Sequence, residues 1–249
     1  MSRLVLRSIA VLALALGCRG SSPAASHEHA PSVFDPSTTQ LVTAIVDRWS
    51  STHATLRLWS GRVGKWEPIG ESWPGVVGGT GVAWGDPEGR PGPIKREGDG
   101  KSPAGVFALR AVYGYATTPP AGTKLPYTPV DAAWHCVDDP RSTHYARILD
   151  ARTVTPDWKS AEDMRRTDEL YTWVVDTAYN SLRVPSAGSC IFLHVWSGPA
   201  STTVGCTAMA EPQLAHLISV LDPNASPLYV LLPRAEYDAL AGPWGLPAQ

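Results

Sequence analysis

Charge is scarce in this 249-residue chain: only 18% of its residues are Asp, Glu, Lys or Arg, and the formal net charge is −2. No basic stripe runs along any segment, which excludes the electrostatic footprint of a nucleic-acid binder. Beyond the first 18 residues no apolar run is long enough to span a bilayer. Neither Ser-x-x-Lys nor Gly-x-Ser-x-Gly occurs, so the nucleophile signatures of penicillin-binding serine enzymes and of lipase-type hydrolases are missing. Cys-x-x-Cys and His-x-x-x-His spacings are absent too, which removes support for zinc held by His135, Cys136, His194 and Cys206. Gly100-Lys101-Ser102 looks like the end of a phosphate-binding loop, yet Lys95 stands where that loop needs its first glycine. No metal and no organic cofactor is expected.

What is present is turn-forming and apolar. The chain holds 22 Gly, 23 Pro and 10 Trp, and 43% of it is hydrophobic, enough to bury a sizeable core. Many short strands joined by turns are expected: a mainly β fold with a few helices around a sandwich-like core. Residues 38–249 read as one domain. Leu41, Val42, Ile45, Val46 and Trp49 have helical spacing, so a short helix is expected there. Leu56, Leu58, Val63 and Trp66 read as a half-buried hairpin, and residues 75–85 as strand and tight turns. A long Gly/Pro loop follows to residue 105, then a strand over 106–109 and a proline-rich crossing over 119–129. The charged segment 156–170 reads as a surface helix or loop. Strands are expected over 171–176, 190–196 and 228–232. Between the last two, Pro212 opens an amphipathic helix with Leu214, Leu217, Ile218 and Leu221 on one face.

The first residues, MSRLVLRSIAVLALALGC, place Arg3 and Arg7 before a short apolar core that ends at Cys18. That pattern is a secretory signal, and Leu14-Ala15-Leu16-Gly17-Cys18 resembles a lipobox, in which the cysteine becomes the lipidated first residue. A plain signal cut after Gly20 or Ala25 is the alternative. Removing residues 1–18 leaves 19 basic against 23 acidic residues, a net charge of −4. Residues 19–37 then form a flexible tether, and His27 and His29 within it read as solvated rather than metal-binding. Export to the periplasmic face, with membrane attachment only through a lipid anchor, is the expected localisation.

Four cysteines are present: Cys18, Cys136, Cys190 and Cys206. With Cys18 lipidated or removed, an odd three remain in an oxidising compartment, which implies one bridge and one leftover thiol. Cys136 and Cys190 lie beside expected strands in surroundings unlike those of a reactive thiol. A bridge between them, closing about 55 residues, contributes about 4 kcal/mol by chain entropy. Cys206 is then free.

The stretch from Cys190 to Met209, CIFLHVWSGPASTTVGCTAM, carries the chemistry. His194 ends a strand, and the chain returns through Thr203-Val204-Gly205-Cys206. Here the sequence resembles the L,D-transpeptidase catalytic-domain family, whose signature is a strand-ending His, a loop, then Ser/Thr-x-Gly-Cys. Asp99-Gly100-Lys101-Ser102-Pro103-Ala104-Gly105-Val106-Phe107 is similar to an earlier stretch of that family. Segments around Cys136-Val137-Asp138-Asp139-Pro140, Ser189–His194 and Gly205–Met209 are similar to one of its branches. The likeness covers about residues 75–233. Three features depart from the pattern: Val204 where a His is common, Ala208 where Arg or Asn is common, and a short His-to-Cys spacing of 12 positions.

The resemblance implies that Cys206 is the nucleophile and His194 its proton acceptor and donor, on an L,D-transpeptidase-like β-sandwich. A thiol with a reference pKa near 8.5 needs such a partner to ionise, and an imidazole near 6.5 can take and return the proton. The amides of Gly205 and Cys206 are candidate oxyanion donors, and a backbone carbonyl near residues 196–198 is the candidate that orients the imidazole. Thr203 and Tyr145 are candidate substrate contacts. The run Asp138-Asp139, near Arg141, Tyr145 and Arg147, is either an ion-pair cluster or part of the substrate wall, the structural reading being preferred. His135, His144 and His216 read as surface or packing residues.

The implied partner is a peptidoglycan stem peptide. The thiolate attacks the carbonyl of the third stem residue and expels D-alanine; an amine then takes the acyl group and forms a 3–3 cross-link, in cell-wall biogenesis. Water in place of the amine makes a carboxypeptidase, and an envelope lipoprotein is another possible acceptor or released group. A catalytically silent wall-binding module is a rival reading. A papain-type peptidase is another, although the order His then Cys at close spacing is the reverse of papain's. A monomer is expected.

Overall fold

The computed structural model describes residues 34–86 and 90–249. The expected signal sequence, the Cys18 lipidation site, His27 and His29 lie outside the described residues, as does most of the tether. Three strands open the fold: β1 (Gln40–Val46), β2 (His53–Arg62) and β3 (Lys65–Val76). After β4 (Val82–Trp84) and a long loop come β5 (Ser102–Ala108), β6 (Ala111–Gly114), β7 (Tyr127–Pro129), β8 (Trp134–Val137), β9 (Ile148–Asp150) and β10 (Ala161–Asp163). Then follow β11 (Trp173–Asp176), β12 (Phe192–Val195), β13 (Thr207–Met209), the helix α1 (Glu211–Val220), β14 (Leu228–Pro233) and the helix α2 (Arg234–Trp244). Eleven strands form one mixed sheet in the order β4-β5-β14-β1-β2-β3-β13-β12-β11-β6-β7, and β10-β8-β9 form a small second sheet. The fold is mainly β with few helices. Leu56 and Leu58 of β2 share an apolar cluster with Val112 of β6, Val175 of β11 and Leu193 of β12, so distant strands of the one large sheet meet in a common core.

β2 alternates from His53 to Leu58, with Ala54, Leu56 and Leu58 buried and His53, Thr55 and Arg57 more exposed, after which Trp59 is buried in a different cluster. α1 also follows its pattern. It starts one residue before Pro212, packs on β11 and β12, and buries Leu214, Leu217 and Ile218. Each such side chain stabilises the fold by about 1.5–3 kcal/mol.

β6, β7 and β9 were not expected, β5 begins at Ser102 inside the expected loop, and three further segments differ more sharply from the sequence reading. The expected helix over 41–49 is strand β1 over residues 40–46. It lies at the centre of the sheet, parallel to β14 and antiparallel to β2. Leu41 and Ile45 enter one core cluster while Val42, Ala44 and Val46 enter another. A strand buried on both faces shows no period of two, and its unbroken apolar run mimics helical spacing. Within 156–170, Ala161–Asp163 form β10 and pair with β8; so short an edge strand carries no readable period. α2 was not expected: it follows Pro233 directly and lays Tyr237 and Trp244 on the cluster that holds Leu41 and Ile45.

Cys136 and Cys190 form a disulfide, with Cα atoms 5.8 Å apart, and Cys206 is free and buried. The bridge ties β8 of the small sheet to the residues entering β12 of the large one. Replacing both cysteines by alanine is expected to lower the unfolding free energy by about 4 kcal/mol. The urea midpoint reads this directly, and an unchanged midpoint would mean that the bridge contributes no stability.

Candidate active site

β12 and β13 run parallel, with Leu193 opposite Thr207 and His194 opposite Ala208. Parallel neighbours require the connecting loop to travel back along the full strand. The loop 196–206 therefore delivers Cys206 beside the start of β12, where the Phe192 amide donates to Cys206 Sγ at 3.3 Å. Alternation does the sorting. Leu193, Val195, Val175 and Met209 point into the main core, and Phe192, Val174 and Cys206 share a separate apolar layer. His194, two residues beyond Phe192, stands on the same face as Cys206. The sequence-expected nucleophile and base thus lie on one face of adjacent strands.

Cys206 is held at both ends. Its thiol donates to the Cys190 carbonyl at 3.4 Å, and its own carbonyl accepts from Ser102 Oγ at 2.8 Å and Thr203 Oγ1 at 2.6 Å. Ser102 also takes the Gly78 amide at 2.9 Å, so the Asp99–Phe107 stretch braces the Cys206 turn from behind. Gly205 has φ +153°, and a Cβ there would meet Ile191 Cδ1 at 3.1 Å and the Lys101 carbonyl oxygen at 3.2 Å. Glycine is therefore required for this approach.

Cys206 lies at a cleft of about 430 Å³ whose walls include Lys95, Glu97, Asp138, Glu162 and Val204. Lys95 is buried and paired with Asp99 at 2.6 Å, and Asp99 also takes the Arg96 and Lys101 amides. Val204, in the place where the family often carries His, is 81% exposed at the rim. Among the described residues no group of three or more His, Cys, Asp or Glu is arranged to hold a metal ion.

Electrostatics keep the pair neutral. Burial, reinforced by the Glu162 charge, pushes the Cys206 thiol up to about 12, against the opposing pull of the Phe192 amide, Tyr171 and Lys95. Burial draws His194 down to about 4. His194 Nδ1 lies 2.7 Å from the Val195 carbonyl oxygen. A carbonyl can only accept, so Nδ1 carries the proton and Nε2 keeps a lone pair for base chemistry.

Several expected roles change. The carbonyl that orients the imidazole belongs to Val195, one residue before the expected segment. The Gly205 amide donates to Thr203 Oγ1 at 3.1 Å, so one of the two candidate oxyanion donors is already engaged. Thr203 is a staple of the turn, its hydroxyl shared between the Gly205 amide and the Cys206 carbonyl, and not a wall of the cleft. Tyr145 is buried: its hydroxyl donates to Glu97, on the cleft wall, and accepts the Gly188 amide. The acidic run divides. Asp139 caps backbone amides of Arg141 and Lys159, whereas Asp138 faces the cleft with Oδ1 buried and without a hydrogen-bond partner. His135 pairs with Asp163 at 3.0 Å, His144 packs on Trp158, and His216 is exposed. Sequence reasoning missed Tyr171 and Glu162, which meet the site only through space. Ser102 lies inside a recognised motif, but nothing in the sequence pointed to its bracing role.

No protein-family model, no curated protein and no solved structure matches this chain.

Two outcomes are expected. Gly205→Ala forces a side chain against the Lys101 backbone, so it should lower the melting temperature and misplace Cys206, cutting its alkylation rate; a variant alkylated like wild type argues against the close approach. The second concerns acid. An unfolded imidazole protonates near 6.5 while His194 in the fold protonates only near 4, so protons favour the unfolded chain. The stabilising contribution of neutral His194 is full above pH 6.5 and is lost as pH falls to about 4. His194→Gln should flatten this part of the stability–pH curve, and an unaltered slope would show that His194 is not the group responsible.

Proposed function

We propose that this chain is an exported L,D-transpeptidase-type cysteine acyltransferase acting on peptidoglycan stem peptides. The observation that carries the reading is Cys206 itself. It is an unbridged thiol at a cleft, delivered by a turn that only glycine fits, with a neutral imidazole on the same face of the neighbouring strand and its Nδ1 committed to a carbonyl. The order of motifs along residues 75–233 supplies the substrate class. Lipid attachment through Cys18 at the periplasmic face belongs to the same reading.

The chemistry follows from these groups. The thiol proton passes to His194 Nε2, and the thiolate attacks the carbonyl carbon of the third stem residue, forming the C–S bond. The Cys206 amide is the donor for the developing oxyanion, since the Gly205 amide is engaged by Thr203. Collapse of the tetrahedral intermediate breaks the C–N bond, and the imidazolium returns its proton to the departing D-alanine amine. The thioester is then taken by an amine of a second stem, which gives a 3–3 cross-link, or by water. An envelope lipoprotein is a further acceptor under this reading. Both reacting groups start neutral, so proton transfer must accompany attack.

One observation favours a second reading, a silent wall-binding module. Cys206 is 3% exposed and its thiol is pushed up to about 12, the opposite of an activated cysteine. Intact mass of the full chain, incubated separately with a disaccharide-tetrapeptide and with a carbapenem, separates the two. A covalent adduct with D-alanine release, absent in Cys206→Ala and slowed by about a hundredfold or more in His194→Asn, is expected. Folded protein with a titratable thiol but no adduct and no D-alanine would favour the silent module.

A further inference from the structure

A second cavity, of about 250 Å³, has the Cys136–Cys190 bridge in its wall, together with Arg110, Arg147, Tyr113 and Asp176. Cys136 is buried, whereas Cys190 is partly exposed, so the bridge is open at its Cys190 end. Both arginines are exposed, and two guanidinium groups face the single carboxylate of Asp176. The surroundings of the bridge are therefore net positive. Cys190 also lines the Cys206 cleft. It has φ +55°, in the left-handed region that a residue with a side chain keeps only where its surroundings hold it. Its carbonyl accepts the Cys206 thiol at 3.4 Å. The same residue is thus an end of the bridge, a strained point of the backbone and a partner of the free thiol.

We propose that the Cys136–Cys190 bridge is a thiol-exchange site, opened by a dithiol reductant through this cavity, and that its reduction uncovers Cys206. The exchange stands whether or not Cys206 is a nucleophile; only its consequence for acyl transfer rests on that reading. One thiolate of the reductant attacks Cys190 Sγ. A new S–S bond forms as the Cys136–Cys190 bond breaks, and Cys136 leaves as a thiolate. The second thiolate of the reductant then displaces Cys190 from the mixed disulfide. Two electrons pass to the bridge, the dithiol closes to a disulfide, and the two cysteines take up its two protons. Arg110 and Arg147 favour the incoming and the leaving thiolates, since sulfur reacts and departs in its anionic form. Freed from Cys136, Cys190 can leave the left-handed region and take its carbonyl away from the Cys206 thiol. The change is local. Ser189 Oγ still donates to Glu97, and Thr177 Oγ1 still donates to the Ile191 carbonyl, so the chain is anchored on either side of Cys190.

The test uses the full folded chain at low ionic strength, with dithiothreitol as the dithiol. Alkylation after an acid quench counts Cys136 and Cys190 on their own peptides. The bridge should open without denaturant. Arg110→Gln together with Arg147→Gln should slow the opening about fivefold at an unchanged melting temperature, the size of two screened charges near an attacking thiolate. Should that variant not fold, wild type in about 1 M salt must show the same slowing. Reduction only in unfolding urea, or a rate that neither the substitutions nor salt slows, overturns the exchange site. The Cys206 peptide is then followed with iodoacetamide after anaerobic desalting, and its rate should rise about tenfold or more on reduction, as local opening implies. Leu232→Ala with the bridge intact supplies a chain loosened in a different core cluster. An unchanged Cys206 rate, or an equal rise in Leu232→Ala at the same interval below its melting temperature, overturns the coupling. Wild type that forms no acyl-enzyme with the stem peptide would remove the proposed function, while the two thiol rates would still decide the exchange site and its hold on Cys206.

Discussion

Taking a thiol and an imidazole out of water in one layer forces both toward their neutral forms, and the candidate site is arranged around that constraint. Each group alone is costly to charge there: Cys206 is held near 12 and His194 near 4. The structure answers with fixed polar partners that need no reorganisation. The Phe192 amide and the Cys190 carbonyl hold the sulfur, and the Val195 carbonyl holds Nδ1. These partners come from backbone groups of β12 and the residues entering it, so the strand that builds the core also builds the site.

The remaining parts of the fold serve that geometry in layers. Alternation along β12 gives Leu193 and Val195 to the main core under α1, and Phe192 and His194 to the opposite face. The disulfide fixes the chain just before β12, where the Cys190 carbonyl meets the thiol. Ser102, from the start of β5, fixes the Cys206 carbonyl and the Gly78 amide together. A displacement of β5 or of the bridge would therefore reach Cys206 through one hydrogen bond, and a displacement of the 77–81 turn through two, by way of Ser102. The stability of the core and the placement of the sulfur are coupled by construction.

Legibility in the sequence follows the range of the interaction. The β2–β3 hairpin and α1 could be read because their patterns are local and one-sided. β1 could not, because burial on both faces erases the period that distinguishes a strand. The disulfide and the free thiol were legible by counting, and Cys206 and His194 by a motif of residue types at close spacing. Tyr171 and Glu162 were not. Glu162 sits in a charged segment with no periodic pattern, and its meeting with Tyr171 depends on β10 pairing with β8. Thr203 suggests a substrate contact because it lies in the motif, and Tyr145 because it follows the Asp138-Asp139 run, whereas hydrogen bonds turn both inward. Proximity in sequence indicated the neighbourhood of the site but not the direction of a side chain.

The carboxylates of the cleft sharpen what neutrality means for chemistry. Glu97, Asp138 and Glu162 line the same space as a thiol that resists ionisation, and burial already raises Glu162 toward its protonated form. A thiolate formed in this cleft is opposed by every uncompensated negative charge around it, and under the proposed acyl transfer an amine leaving group would gain from the same field as it picks up a proton. The arrangement therefore favours a thiol that ionises only as its proton is handed on over one that is ionised beforehand.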